Sequence, residues 1–351
     1  MIMKPKRADL SIAEDIKSRN LQVLRLIAAL GVLCTHAVAL SRGDLTREWL
    51  VVMSRGQFTC GFISVSIFFL ISGFFGARSA ARLMGRKGGA AAFIKSRIRR
   101  MWPALAVVTL LSMLFGLCFT TMSAGEYLTS PVTWKFLGNC LFIPVHDLPG
   151  VFTGQPYGST VNGSLWTLTV EVACCLGCAI CLQARFLSRK GFLLSMLPAA
   201  AMFVFLAWWG KRNPLVWSAA FPCILCFYTG MALWTFRDRI VMDLRIALGC
   251  VVVLLLMTAA GKGHIGAYLS LPYLVFYVGY GLPQAPARIA SCGERTYEIY
   301  LWGYPVQQAL VYAFGGGMME PFVNFAAAVP IVAILAYATG MLVDLLKKKP
   351  E

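Results

Sequence analysis

Ten apolar runs recur along the chain, at 21–40, 58–77, 102–121, 163–183, 191–209, 215–236, 246–260, 264–282, 296–314 and 321–345, with polar or basic segments between them. Most have the roughly 17 to 25 residues that a helix needs to cross a bilayer, and 246–260 is the short one. The pattern predicts an all-α, polytopic transmembrane helical bundle of about ten spans. A transmembrane domain then covers 21–345, flanked by polar tails at 1–20 and 346–351. The segment 122–161 is the long connection. The first twenty residues lack a short apolar core followed by a small-residue cleavage site, so the first span is read as its own insertion signal.

Charge fixes the expected orientation. Lys and Arg in short connections are retained on the cytoplasmic side. With a cytoplasmic N-terminus, 24 of the 32 Lys and Arg fall inside and seven outside, while Arg25 lies within the first span. Both termini are therefore expected in the cytoplasm. The composition agrees with a membrane protein: 58% hydrophobic, 13% charged and a mean hydropathy of +0.70. The net charge of +17 reads as orientation plus attraction to anionic membrane lipids, and calls for no nucleic-acid partner.

The twelve cysteines lie mostly within spans, where a thiol behaves as a small apolar side chain. Cys174, Cys178 and Cys181 share a helical face, and Cys223 and Cys226 form a CxxC pair. Neither group has a matching histidine or second quartet, so no metal site is expected.

Polar residues within spans are costly and are functional candidates by default. Arg25 and His36 stand out in "LQVLRLIAALGVLCTHAVAL". Separately, Arg25 reads as a snorkelling residue and His36 as an interfacial one. Together they share a face, because eleven positions at 100° each make three turns plus about 20°. A rise of 1.5 Å per residue separates them by roughly 16 to 17 Å, too far for an ion pair. A guanidinium that grips anionic oxygens and an imidazole that accepts a proton near neutral pH outline a path across the membrane.

In the second span, Ser72 and Gly73 read either as close helix packing or as a place where a ligand approaches the backbone. Arg97 and Arg100 in "FIKSRIRRMWP" read either as a positive-inside cluster or as an anion clamp, sharing a face if that segment is helical. Pro103 then opens the following span. "VNGSLWTLTVEV" places Asn162 or Ser164 as a helix cap and Glu171 about two turns in, one turn beyond Thr167. His146 and Asp147 read as a solvent-exposed turn.

Five segments in order resemble the acyltransferase-3 family of integral membrane proteins. They are Arg25 with His36, "FFLISGFF" (Phe68 to Phe75), Arg97 with Arg100, Leu165 to Glu171, and Tyr297 to Trp302. Many members carry His after that Trp, where this chain has Gly303. The resemblance implies a bacterial inner-membrane O-acyltransferase. It would move an acyl group, acetyl or else succinyl, from cytoplasmic acyl-CoA to a hydroxyl of an exported or lipid-linked polysaccharide. His36, Glu171 and Arg25 are then the expected catalytic set, with Glu171 orienting or balancing the imidazole. Arg97, Arg100, Ser72 and Gly73 are expected to bind the donor, and Trp166 and Tyr300 fall on the acceptor side. Acyl-CoA enters as co-substrate, with no resident cofactor. A transporter or flippase is the competing class, and would call for inverted repeats that the sequence does not display.

Overall fold

The computed structural model describes residues 9–14, 16–210, 220–315 and 319–347. In chain order the helices are α1 (Arg19–Arg42), α2 (Trp49–Met53), α3 (Cys60–Ala81), α4 (Gly89–Phe119), α5 (Ala124–Thr129), α6 (Pro131–Lys135) and α7 (Trp166–Gln183). Then come α8 (Arg189–Gly210), α9 (Phe221–Thr235), α10 (Leu244–Ala259), α11 (Gly263–Phe276), α12 (Ala287–Cys292), α13 (Thr296–Ala313) and α14 (Pro321–Lys347). A helix occupies each of the ten predicted runs, that at 215–236 over its described residues. No strand occurs among the described residues, only isolated bridges such as Thr120 with Val151. Among the described residues five helices, α1, α3, α4, α7 and α14, are long and apolar enough to cross a membrane.

Local chemistry sets the helix ends. Ser18 caps α1, its Oγ accepting the Leu21 N–H at 3.1 Å. The side-chain oxygen of Gln284 accepts the N–H groups of Arg19 and Asn20 at 2.8 and 3.3 Å, so the first orphan donors of the helix are satisfied. Gly43 at φ +80° ends α1, its N–H reaching the Ala39 carbonyl at 2.8 Å. In the long connection, Ser123 and Glu126 form a capping box at the start of α5.

One predicted boundary moves. The run at 102–121 was expected to begin near Pro103, but α4 starts at Gly89 and stays helical for 31 residues, with Pro103 inside it. The residues from Gly89 to Met101 are helix formers for the most part and carry no breaker after Gly89. Arg97 and Arg100 therefore sit on the same continuous helix as the apolar run, one turn apart.

The chain divides into two compact units, the first made of Met1–Leu26, Val65–Ser96 and Val170–Glu294. In it α10 packs along α11, and α9 packs on α8 and α11. A 3-10 turn over Leu10–Glu14 buries Leu10 and Ala13 and is bridged to Val241 through Asp9. The second unit is Ile27–Ser64, Arg97–Thr169 and Arg295–Glu351. Its centre is α13, thirteen of whose 18 residues are buried, packed along α14. The long connection contributes its own apolar cluster around Tyr127, Phe136, Leu148, Val151, Phe152 and Val161.

Candidate active site

In the second unit, His36 on α1 meets Tyr304 on α13 edge to face, with ring centroids 5.0 Å apart at 73°. Its Nδ1 is buried and has no hydrogen-bond partner among the described residues. A buried ring nitrogen left unpaired is costly, so such atoms mark places where a substrate atom or water completes the bond. Tyr304 is itself seated by Gly163: a Cβ there would lie 2.7 Å from the tyrosine ring. The glycine of "VNGS" is thus required by the ring that abuts His36.

The rest of that motif docks onto α13. Pro305 has no N–H, so the Leu301 carbonyl four residues earlier lacks its helical donor. Asn162 supplies the missing bond, its Nδ2 donating to Leu301 O at 3.0 Å. The Asn162 Oδ1 accepts from the Ser164 N–H at 3.2 Å and the Ser164 hydroxyl at 2.6 Å. Thr167 and Tyr300 share a hydroxyl–hydroxyl bond of 2.6 Å, and the Tyr300 hydroxyl also reaches the Ser164 carbonyl at 3.0 Å.

The late aromatic motif works the same way. Tyr297 donates to the Met101 carbonyl on α4 at 3.1 Å, and the Trp302 indole donates to Thr339 on α14 at 2.9 Å. Tyr300, expected on the acceptor side, is buried in this bonding, while Trp166 opens α7 half-buried. Gly303 faces α1, where a Cβ would stand 2.7 Å from Leu33 Cδ1. The position where the family resemblance implies histidine is, in this chain, a point of close helix contact. Gln307, one turn on, donates to the Leu33 carbonyl at 2.9 Å and to Asn324 at 3.0 Å.

Glu48 went unnoticed in the sequence, as part of a connection between spans. Its side chain is fully buried, accepts the Thr35 hydroxyl at 2.9 Å, and also takes the Cys60 N–H. Thr35 in turn accepts the Gly61 N–H at 2.7 Å. A carboxylate so placed satisfies the N-terminus of α3 and complements its dipole. It also fixes the residue next to His36. The one available signal was Thr35 itself, a hydroxyl in an apolar run that needs a partner. In the same unit Arg97 is half-buried and Arg100 exposed on α4. His146 is half-buried, its Nδ1 3.0 Å from the Asn162 carbonyl, so the turn expected to be exposed is partly packed.

In the first unit, Ser72 and Glu171 come together, the serine hydroxyl donating to the carboxylate at 2.7 Å. Gly73 serves packing: a Cβ there would collide with the Phe227 carbonyl oxygen, and Gly230 is pressed in return against the Leu70 carbonyl. The backbones of α3 and α9 cross in direct contact through these two glycines, which leaves no space for a ligand on that side of Gly73. Arg25 is half-buried on α1, which is unbroken from Arg19 through His36 to Arg42.

All twelve cysteines are free thiols. Among the described residues, no group of three or more His, Cys, Asp or Glu stands together as metal ligands would.

An O-acetyl transferase of Shigella phage Sf6 is 24% identical over 331 residues, covering 92% of this chain and 94% of the relative. Nodulation protein 10 of Rhizobium leguminosarum bv. viciae is 30% identical over 238 residues, 63% of this chain and 60% of that protein. No solved structure gives a significant match. The family model described as an acyltransferase domain matches residues 18–342, so the chain belongs to the acyltransferase-3 family and is an acyltransferase with membrane-spanning helices.

Proposed function

We propose that the protein is a multi-pass O-acyltransferase of a bacterial inner membrane, with about ten spans and both termini in the cytoplasm. It transfers an acyl group, acetyl in the first instance, from cytoplasmic acyl-CoA to a hydroxyl of an exported or lipid-linked polysaccharide unit. The observation that carries the reading is His36, an imidazole within a membrane helix, set against Tyr304 with a buried ring nitrogen unpaired. The name of the phage relative, O-acetyl transferase, supports acetyl as the group and oxygen as the acceptor atom. The excess of Lys and Arg in alternate connections supports the orientation.

In this reading His36 takes the proton of the acceptor hydroxyl as its oxygen attacks the thioester carbonyl. The carbon–sulfur bond breaks, the new ester forms, and the proton passes to the departing CoA thiolate. A route in which His36 first carries the acyl group balances equally. Arg97 and Arg100, on one face of α4, grip donor phosphates through paired N–H groups. Arg25 and the Glu171–Ser72 pair provide the charged and polar groups of the first unit, where Arg25 holds anionic oxygens of the donor. The acceptor side includes Trp166, with Tyr300 shaping it through Ser164 and Thr167.

The test is acyl transfer by purified protein in proteoliposomes with radiolabelled acetyl-CoA and cell-envelope glycan. Wild type should label the glycan. His36→Ala and His36→Gln, folded and inserted, should lose about 10² to 10⁴ in rate. Near wild-type rates in both variants would remove His36 from the chemistry. Movement of glycan across the membrane with no label transfer would favour a flippase.

A further inference from the structure

We propose that the first unit contains a second phosphate-binding position, built by Arg78 and Tyr280 beside Trp234. Four elements converge there. Arg78 lies near the C-terminal end of α3, Trp234 near the end of α9, and Tyr280 on a π-helical turn over Tyr277–Gly281, with the Leu10–Glu14 turn packed against that turn and against Arg237–Arg239. Single π-helical turns occur frequently at functional sites.

Two donors at this place have nothing to bond. Arg78 Nε is buried with no partner, and so is the hydroxyl of Tyr280, whose side chain is 7% exposed. The Leu10–Glu14 turn, whose Glu14 carbonyl accepts from Arg78, packs directly against the turn that carries Tyr280. The one bond Arg78 makes is from Nη2 to the Glu14 carbonyl at 2.6 Å, and no acidic side chain pairs with it among the described residues.

Its neighbour Arg237 differs. It is paired with the Glu14 carboxylate, donates to the Trp234 carbonyl at 2.9 Å and lies 4.2 Å over the Trp234 ring. Arg78 stands 5.8 Å from the same ring, with no acidic partner for its charge and no bond from its Nε–H among the described residues. Among the described residues, Asp238 is taken by Arg189 and Asp9 by Ser11. One guanidinium with no acidic partner among the described residues and one phenol, each with an unused N–H or O–H, suit a group made of anionic oxygens. A phosphate ester fits this chemistry, with the fork of Arg78 on one oxygen edge and the phenol on another. Arg78 sits three residues after "FFLISGFF", on the same helix as Ser72 and Gly73.

Such a phosphate can come from the acyl-CoA donor or from an anionic phospholipid headgroup. The donor source rests on the function proposed above, and the site itself does not. The test uses the full chain, purified in a neutral detergent free of anionic lipid. Binding of coenzyme A, dihexanoyl phosphatidylglycerol and inorganic pyrophosphate is measured by calorimetry for wild type, Arg78→Gln, Arg78→Lys and Tyr280→Phe. Tyr280→Phe removes a single unbonded oxygen, so it keeps the fold even if Arg78→Gln does not.

A loss of about tenfold or more with coenzyme A in Tyr280→Phe, and in Arg78→Gln where folded, assigns the site to the donor. Arg78→Lys should recover part of it, since the charge returns and the Nε–H does not. The same loss with phosphatidylglycerol and pyrophosphate alone assigns the site to a lipid headgroup. Wild-type protein that binds pyrophosphate through Arg78 but no coenzyme A would leave this site standing and remove the donor from the proposed function. Affinities within twofold of wild type for all three probes in folded Tyr280→Phe and Arg78→Lys, or no binding by wild type, would overturn the proposal.

Discussion

The bond from Asn162 to Leu301 lends itself to a thermodynamic test, because proline creates the need that asparagine fills. In Asn162→Ala the Leu301 carbonyl, in the buried centre of α13, has neither its helical donor nor a replacement. A buried acceptor left unpaired costs about 1 to 3 kcal/mol. The variant also loses two acceptor contacts to Ser164, at 3.2 and 2.6 Å, but that hydroxyl can turn to another acceptor. The expected destabilisation is about 2 to 4 kcal/mol. Pro305→Ala restores an N–H to position 305, which can close the ordinary bond to Leu301. Asn162→Ala should therefore cost about 1 to 2 kcal/mol less in the Pro305→Ala background, a coupling that a double-mutant cycle reads directly. The chain supplies its own reporter. Its cysteines are free thiols, and Cys60, Cys174, Cys175, Cys178, Cys223 and Cys226 are buried, so their reaction with a maleimide dye tracks unfolding. Equal costs of Asn162→Ala in the two backgrounds, within about 0.5 kcal/mol, would refute the pairing of Asn162 with the proline gap.

Gly303→His, which introduces the residue that the family resemblance implies, should destabilise by about 1 to 3 kcal/mol, because even a Cβ presses Leu33 at 2.7 Å; an unfolding midpoint equal to wild type would show that α1 and α13 part easily. Asp238, outside the apolar runs, has its carboxyl held below its ordinary value of 3.8 by the Arg189 guanidinium. A depressed folded-state value gives stability that is present above 3.8 and is lost as the pH falls through the lowered value. The difference in unfolding midpoint between wild type and Asp238→Asn should thus be full at neutral pH, vanish in acid and shrink in high salt. A difference that grows as the pH falls would reverse the sign of this argument.

The apolar runs fixed the class and most of the helices, because an α-helix in lipid must satisfy its own backbone and so is written in consecutive residues. Ser18 at the start of α1 and Gly43 at its end are local chemistry of the same kind. The motifs were legible as well, since Arg25, His36, Glu171, Arg97 and Arg100 are polar residues in or beside apolar runs and each asks for a reason. Their partners were not. Glu171 bonds Ser72, 99 positions away in the chain, and Asn162 bonds Leu301, 139 positions away. Periodicity carries no information on such pairs, because the bonds form between faces that only folding brings together. Glu48 was missed because a carboxylate in a connection reads as solvated until Thr35 and the first N–H groups of α3 are found around it. In the sequence Gly73 read as close packing or ligand approach, Gly303 as a departure from the histidine that the resemblance implies, and Gly163 only as part of "VNGS". The tertiary structure gives each a different reason to be small, a backbone, a tyrosine ring and a leucine in turn, since the absence of a side chain acquires meaning only from what occupies the space.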